Sequence, residues 1–208
     1  MSCDIKFYGT NKDPLIFVHN NFFNQNELDG IWQELNFLTY RHKLLGPEKT
    51  NSATKNGKLL KKNSAIFLED VYHDKQISNI LAIMNKTLEQ KEIDFMVNHN
   101  TIFSYLNLYN NKSTLLSYYE DGDYYEPHPD VCTITILSYF FEEPKQFEGG
   151  NLTFTDFDLT LEIHNNMVVY FPSCYNHMVD KIEMKSDKKG VEFNKKGRYC
   201  IKIGRAHV

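Results

Sequence analysis

The sequence of 208 residues contains only four cysteines, and no two of them form a closely spaced pair. Cys3, Cys132, Cys174 and Cys200 are scattered along the chain, which excludes a zinc knuckle and the dense disulfide framework of a small secreted domain. Nothing near them resembles an activating Cys/His arrangement, so a cysteine nucleophile is not expected. We predict four reduced thiols, most of them in the core.

The chain also lacks a basic excess, a long apolar run and a signal-like N-terminus. With 23 Lys and Arg against 27 Asp and Glu, its formal net charge of −4 gives no overall attraction to nucleic acids or anionic membranes. No apolar run approaches the roughly 20 residues that span a bilayer. The opening residues, MSCDIKFYGTNKDP, lack a basic segment followed by an apolar one. We therefore expect a cytoplasmic protein with no membrane partner.

Two amphipathic stretches in the first half predict helices. Apolar residues recur at helical spacing in NQNELDGIWQELNFL (24–38), where Asn24 or Asn26 can cap the first turn. DKQISNILAIMNKTLEQ (74–90) repeats the pattern, with Asp74 as a cap. Residues 1–98 are therefore predicted to form a helix-rich N-terminal support.

From residue 99 onward, the chain consists of short segments rich in β-branched and aromatic residues, separated by turn signals. The segments are TIFSYLNLYN, STLLSYY, VCTITILSYFF, NLTFTDF, MVVYF, HMVDKIE and GRYCIKI. This pattern indicates an antiparallel sandwich or barrel such as a jelly roll over residues 99–204. The length and the hydrophobic content of 41% suit one domain over residues 1–208, of α+β class and mainly β.

The stretch YYEDGDYYEPHPDV (118–131) contains a candidate metal site. His128 and Asp130 are two residues apart, and on a strand such residues project from the same face. A third candidate, His177, follows where MVVYFPSCYNHMV passes from one strand to the next. Two histidines and one carboxylate are typical of non-haem Fe(II) oxygenases, whereas zinc and calcium favour other ligand sets. Since His-x-Asp is common by chance, the prediction depends on the third residue.

The same stretch resembles the iron- and 2-oxoglutarate-dependent dioxygenases of the prolyl 4-hydroxylase type. In that family a strand with the pattern Tyr-x-x-Gly-x-x-Tyr-x-x-His-x-Asp enters the jelly roll, and Tyr119, Gly122, Tyr125, His128 and Asp130 have this spacing. Further family marks follow in the same order as in that family. They are TITILSYFF, the turn Gly149-Gly150-Asn151-Leu152, His177 with Val179, and the closing strand Gly197-Arg198-Tyr199-Cys200-Ile201.

The resemblance implies a double-stranded β-helix that binds Fe(II) through His128, Asp130 and His177. It also implies 2-oxoglutarate and O2 as co-substrates. Because arginine offers a bidentate fork and a permanent charge, Arg198 is the candidate for the distal carboxylate of 2-oxoglutarate, supported by Tyr119 or Tyr139. The interval between His177 and Arg198 is longer than is common in the family, which leaves Lys181, Lys196 and Lys202 as substitutes.

The implied activity is hydroxylation of a substrate C–H bond, with peptidyl proline as the leading acceptor and ascorbate as the reductant of the iron. The expected partner is therefore a peptide or protein, and not a nucleic acid. One alternative is a nucleic-acid demethylase of the same superfamily, for which Arg205 stands at a slightly different spacing from the second family arginine. The other alternative is a jelly-roll binding module without activity.

Two lysine-rich segments, 41–63 and 183–196, are predicted to flank the mouth of the barrel, select the acceptor and be mobile without it. The stretch 41–65 contains seven Lys and Arg against one Glu, and could therefore guard an acidic or phosphate-bearing substrate. The alternative is that both segments are solvated loops far from the iron site.

Overall fold

Two antiparallel sheets form the centre of the computed structural model, which describes residues 4–10, 13–40, 44–108, 111–185 and 195–206. The larger sheet has seven strands in the order β1-β2-β13-β9-β16-β7-β6, and the smaller has five in the order β12-β11-β14-β8-β5. Two short pairs, β3-β4 and β10-β15, accompany them. The strands are β1 Asp4–Thr10, β2 Asp13–Asn20, β3 Thr54–Lys55, β4 Lys58–Leu59, β5 Lys61–Lys62, β6 Ser64–Phe67, β7 Asn111–Tyr119, β8 Tyr124–His128, β9 Ile134–Phe140, β10 Phe147–Glu148, β11 Leu152–Phe154, β12 Leu159–Leu161, β13 Met167–Pro172, β14 His177–Val179, β15 Glu183–Met184 and β16 Arg198–Ala206.

The helices lie mainly before β7. They are α1 Gln25–Tyr40, α2 Leu68–Val71, α3 Asn79–Ile83 and α4 Gln90–His99, with 3-10 helices at Pro47–Lys49, Lys75–Ile77, Met84–Leu88 and Thr101–Asn107. No helix in these described ranges is long and apolar enough to cross a membrane.

Strand β16 separates two apolar clusters. Tyr199, Ile201 and Ile203 pack with the helices, whereas Cys200 packs in the cluster shared by the two sheets. Since alternate side chains of a strand point to opposite faces, β16 supplies both layers at once. Arg198 and Lys202, which have the same parity as Cys200, line a cavity between the sheets. The architecture is the predicted double-stranded β-helix with supporting helices.

The first predicted helix is confirmed, and its cap is Asn24. The Asn24 side chain accepts a hydrogen bond from the Glu27 backbone N–H at 3.1 Å, and the Glu27 carboxylate accepts one from the Asn24 N–H at 2.7 Å. This reciprocal pair is a capping box, which satisfies two N–H groups that the helix leaves free.

The second predicted helix, over residues 74–90, is wrong as a single element. Asp74 caps only the 3-10 helix that follows it, and Ser78 has an extended backbone with ψ of 116°. The Ser78 hydroxyl donates to the buried Glu34 carboxylate at 2.7 Å and accepts from Leu81 N–H at 3.0 Å, which starts a new helix. Ile77, an apolar residue of the predicted helical pattern, is 69% exposed as a result.

The predicted strand over residues 101–110 is also wrong, because Thr101–Asn107 form a 3-10 helix capped by Asn100. The other predicted strand segments each contain a strand. Residues 1–98 supply strands as well as helices: β2 pairs with β13, β6 with β7, and β5 with β8. The N-terminal part thus contributes strands to both sheets in addition to its helices.

Three cysteines lie in the described ranges, and all three are free thiols. Cys200 is buried, Cys132 is half-buried and Cys174 is exposed, so the prediction of mostly core thiols is only partly correct. Cys3 lies outside the described residues.

Candidate active site

Two neighbouring strands of the smaller sheet bring His128 and His177 together. His128 is the last residue of β8, His177 is the first of β14, and the two are directly opposite in the antiparallel register. Their ring centroids are 4.5 Å apart. Both side chains are buried, at 5% and 4% exposure.

Asp130 reaches the same point from beyond the end of β8. Its backbone N–H donates to the Ser173 carbonyl at 2.9 Å, which holds the turn after the strand. Asp130 Oδ2 lies 3.6 Å from His177 Nε2, and the potential ligand atoms of the three residues all lie within 4.8 Å of one another. The three side chains therefore converge, and Asp130 reaches the histidines through a turn and not through the predicted strand alternation.

Backbone carbonyls fix the orientation of both imidazole rings. His128 Nδ1 is 2.8 Å from the Glu126 carbonyl and His177 Nδ1 is 2.9 Å from the Tyr175 carbonyl. Because a carbonyl only accepts, each Nδ1 carries the proton and each Nε2 keeps a free lone pair. Burial, aided by the neighbouring His177, lowers the pKa of His128 to about 4, and burial lowers the pKa of His177 as well. Both rings are neutral, as metal ligands must be.

Asp130 is held as a carboxylate. Burial opposes its ionisation, but the charge of Lys202 and hydrogen bonds from Lys202 and Thr135 outweigh it, so the pKa of Asp130 lies below its usual value. The Thr135 hydroxyl donates to Oδ2 at 2.7 Å, and Lys202 Nζ contacts Oδ1. Two neutral imidazoles and one carboxylate form the donor set that suits Fe(II).

Replacing Thr135 with valine is expected to weaken Fe(II) binding by about 10- to 100-fold, because hydrogen-bond partners of ligands orient them and tune their basicity. Thr135 is fully buried, and valine keeps its shape while removing the bond to Asp130. Anaerobic titration with Fe(II) measures the effect. The same substitution at exposed Thr133 is the control, and an unchanged affinity for Thr135→Val would refute the role.

Arg198 occupies the interior of the same cavity and is only 1% exposed. Its Nη1 donates to the Gly150 carbonyl at 2.5 Å, and its Cζ lies 4.4 Å from the Tyr119 ring centroid and 5.2 Å from that of Tyr139. Arg198 Nε and the Tyr139 hydroxyl are buried without a hydrogen-bond partner among the described residues. Since a buried charge needs a counter-ion, this part of the cavity suits an anion.

The Gly149-Gly150 turn positions the carbonyl that Arg198 binds. Both residues have positive φ, 68° and 67°, and a Cβ on Gly149 would lie 2.1 Å from the Lys181 carbonyl oxygen. Only glycine fits this close approach without strain. The two glycines of the sequence motif therefore have a structural reason.

Of the three substitute lysines, only Lys202 lines the cavity. Lys202 contacts Asp130, Lys196 pairs with Glu142, and Lys181 is exposed. Arg198 is thus the cation that stands next to Tyr119 and Tyr139, while the side chain of Arg205 lies outside what the structure describes.

These groups share one cavity of about 580 Å³. Residues 50–54 form part of its wall, and the Ala53 N–H donates to the Tyr125 hydroxyl at 3.2 Å, which ties this wall to β8. The described part of the basic segment 41–63 therefore reaches the cavity, while selection of the acceptor by this segment stays a prediction. Of the second segment, residues 186–194 lie outside the described ranges, and its described residues are not among those lining the cavity.

Lys61 is a functional candidate that sequence reasoning missed. It lines the cavity at 5% exposure, and its Nζ lies 5.4 Å from the Tyr125 ring centroid. Burial, together with the nearby charge of Lys202, lowers the pKa of Lys61 to about 8. The sequence offered no signal for it, because Lys61 and Lys62 are neighbours in a basic segment and only the structure shows Lys61 buried and Lys62 exposed.

Known proteins resemble this chain in sequence over a short stretch and in fold over most of its length. No family model matches the chain. An uncharacterized PKHD-type hydroxylase of Synechocystis is 34% identical over 83 residues, which is 31% of this chain and 27% of the relative. The match therefore spans about a quarter of the length of that relative.

Solved structures match over nearly the whole chain. A Pseudomonas putida prolyl-4-hydroxylase superposes with a TM-score of 0.62 at 11% identity, covering 93% of this chain and 92% of that one. The viral collagen prolyl hydroxylase of Paramecium Bursaria Chlorella virus-1, in its 2OG complex, gives 0.53 at 12% identity over 95% and 98%. NgTET1 in complex with 5mC DNA gives 0.50 at 17% identity over 98% and 76%.

At these identities the structural matches show the fold, while the sequence match and the motifs carry the resemblance. The chain thus has the fold of the 2-oxoglutarate- and iron-dependent oxygenases and resembles their prolyl 4-hydroxylases.

Proposed function

We propose that this protein is an Fe(II)- and 2-oxoglutarate-dependent dioxygenase that hydroxylates a substrate C–H bond, with a peptidyl proline as the leading acceptor. The observation that carries the proposal is the pairing, in one cavity, of a His-Asp-His cluster with a buried arginine that lacks a counter-ion among the described residues. A His-Asp-His cluster alone would suit several metals, and a buried arginine alone would suit many anions. Together they match the two ligands that this chemistry requires.

His128, Asp130 and His177 would hold the iron. Their fit to Fe(II) is supported by two free Nε2 lone pairs and a carboxylate whose second oxygen is already bound by Lys202. Three protein ligands leave coordination positions open for substrates. When bound, Fe(II) and 2-oxoglutarate supply the electrons for reaction with O2, and ascorbate would keep the iron reduced between turnovers.

Arg198 would bind the distal carboxylate of 2-oxoglutarate. The buried Nε and the Tyr139 hydroxyl offer two donors, and the rings of Tyr119 and Tyr139 restrict the guanidinium. Tyr119, Tyr139 and the apolar side chains of Leu137 and Leu152 line this part of the cavity and would exclude water from the reaction.

The proline assignment is supported by the resemblance and by two structural neighbours, both of which are named as prolyl hydroxylases. A nucleic-acid demethylase is the second candidate, supported by the basic segment 41–63 and by the fold shared with NgTET1. A nucleic-acid substrate predicts binding that falls steeply with salt. A binding module without activity would have no use for the iron-type ligand set.

The test is a hydroxylation assay with purified protein, Fe(II), 2-oxoglutarate and ascorbate. A panel of proline-containing peptides and methylated oligonucleotides is incubated, and mass spectrometry detects gain of an oxygen atom or loss of a methyl group. We expect oxygen gain on a proline peptide. Demethylation of an oligonucleotide would replace the leading acceptor, and the absence of any 2-oxoglutarate consumption would refute the enzyme assignment.

A further inference from the structure

The cavity has more cationic side chains than iron and 2-oxoglutarate need. Lys61, Arg198 and Lys202 line it, and Asp130 is the one acidic residue among the described lining residues. Lys202 already contacts Asp130, and Arg198 is matched by one carboxylate of 2-oxoglutarate under the proposed function. Lys61 forms no ion pair with the described lining residues, because Asp130, the acidic residue whose charge acts on it, already pairs with Lys202.

Lys61 is held in place by its neighbours and is not a surface lysine. Its strand pairs with β8 at Tyr125, and its Nζ lies over the Tyr125 ring. The Tyr125 ring stacks in turn on His128, with an interplanar angle of 15°. The cation is therefore linked through one aromatic ring to an expected iron ligand.

The wall next to Lys61 is also fixed. The Leu60 N–H donates to the Ala53 carbonyl at 3.0 Å, and the Ala53 N–H donates to the Tyr125 hydroxyl at 3.2 Å. These bonds hold residues 50–54 beside the cation, and the polar residues Thr50, Ser52 and Thr54 are among those that line the cavity. A buried cation flanked by polar groups at a cavity wall suits an anionic ligand.

We propose that Lys61 binds a carboxylate of the acceptor, so that the chain selects acceptors with an acidic group close to the C–H bond it oxidises. This rests on the proposed function, whose substrate class it narrows. A single lysine matches a singly charged carboxylate. That carboxylate is either an acidic side chain beside the target proline of a peptide or the α-carboxylate of a free amino acid.

The test compares pairs of ligands by equilibrium binding to the Fe(II)- and 2-oxoglutarate-loaded protein without O2. One arm uses proline peptides with Glu or Gln at each position flanking the proline. The other uses N-acetylproline and its amide. Binding is measured for the wild type, Lys61→Met, Lys61→Arg and, as a matched control, Lys58→Met, because Lys58 is an exposed lysine in the same segment.

In one arm, we expect the acidic ligand to bind at least about tenfold more tightly than its neutral amide counterpart. This preference should appear in the wild type, Lys61→Arg and Lys58→Met, because all three keep a cation at position 61 and loss of a buried charge partner is costly. In Lys61→Met, this preference should fall to about twofold or less while the thermal midpoint stays near that of the wild type. Equal affinities of acid and amide in the wild type, or an undiminished preference in Lys61→Met, would overturn the proposal. The responsive arm identifies the source of the carboxylate.

Turnover of 2-oxoglutarate without an acceptor separates this inference from the proposed function. We expect succinate from the wild type and from Lys58→Met, because Lys58 is exposed and lies outside the cavity-lining residues. Absence of succinate in both proteins counts against the dioxygenase, whereas succinate from both together with equal affinities for acid and amide would overturn the acceptor role alone.

Discussion

Replacing His177 with alanine is expected to abolish 2-oxoglutarate turnover and to reduce Fe(II) binding by orders of magnitude. The substitution removes one of the three protein donors, and two remaining ligands cannot hold the metal in the required geometry. Because His177 lies at a strand end beside the cavity, the fold should stay intact. Turnover and anaerobic Fe(II) titration measure the two effects.

His164→Ala is the matched control, since His164 is exposed and lies outside the cavity-lining set. It should bind iron and turn over 2-oxoglutarate like the wild type. A His177→Ala protein with normal iron content and activity would show that the metal is held elsewhere.

Replacing Arg198 with alanine is expected to raise the 2-oxoglutarate concentration needed for half-maximal turnover by at least about 100-fold. Removing one partner of a buried charge pair costs roughly 3–5 kcal/mol, and each 1.36 kcal/mol corresponds to a factor of ten. Iron binding should change little, because Arg198 contacts Gly150, Tyr119 and Tyr139 and none of the triad residues. The measurement is the 2-oxoglutarate dependence of succinate formation.

Two further variants test whether the effect is specific to the arginine at position 198. Arg198→Lys should recover part of the affinity, because lysine keeps the charge but loses the bidentate fork. Lys196→Ala should leave the 2-oxoglutarate requirement unchanged, because Lys196 pairs with Glu142 outside the cavity-lining residues. A normal requirement in Arg198→Ala would transfer the cofactor role to another cation, with Lys202 the next to test.

The sequence was sufficient to predict the jelly-roll fold class and four of the residues that converge in the cavity. His128 and His177 converge through strand register, which places them directly opposite each other. Asp130 was found by the motif, although a turn and not strand alternation brings it to the histidines. Arg198 could be found because it begins the last strand at the family position.

Other features depend on tertiary contacts that no local pattern contains. Ser78 breaks a predicted helix because Glu34, far away in sequence, accepts the hydrogen bond of its hydroxyl. Residues 101–107 are rich in strand-forming side chains yet form a 3-10 helix that Asn100 caps. Lys61 resembles its exposed neighbours in a basic segment, and only the pairing of β5 with β8 shows that it points inward.

The cytoplasmic location and the mobility of the two lysine-rich segments stay predictions. The described part of segment 41–63 is tied to β8 through Ala53, so its movement would have to break the bond to Tyr125. Closure over a bound acceptor would exclude water from the reaction, which is the physical reason to expect it.

The most direct test of the central claim is the Fe(II) dependence of succinate formation from 2-oxoglutarate, measured on metal-free protein to which Fe(II) is added back. We predict no succinate without metal, formation of succinate in amounts equal to the 2-oxoglutarate consumed when Fe(II) and O2 are present, and none in His177→Ala. Wild-type protein that binds Fe(II) at the triad but forms no succinate, with or without acceptor peptides, would contradict the claim.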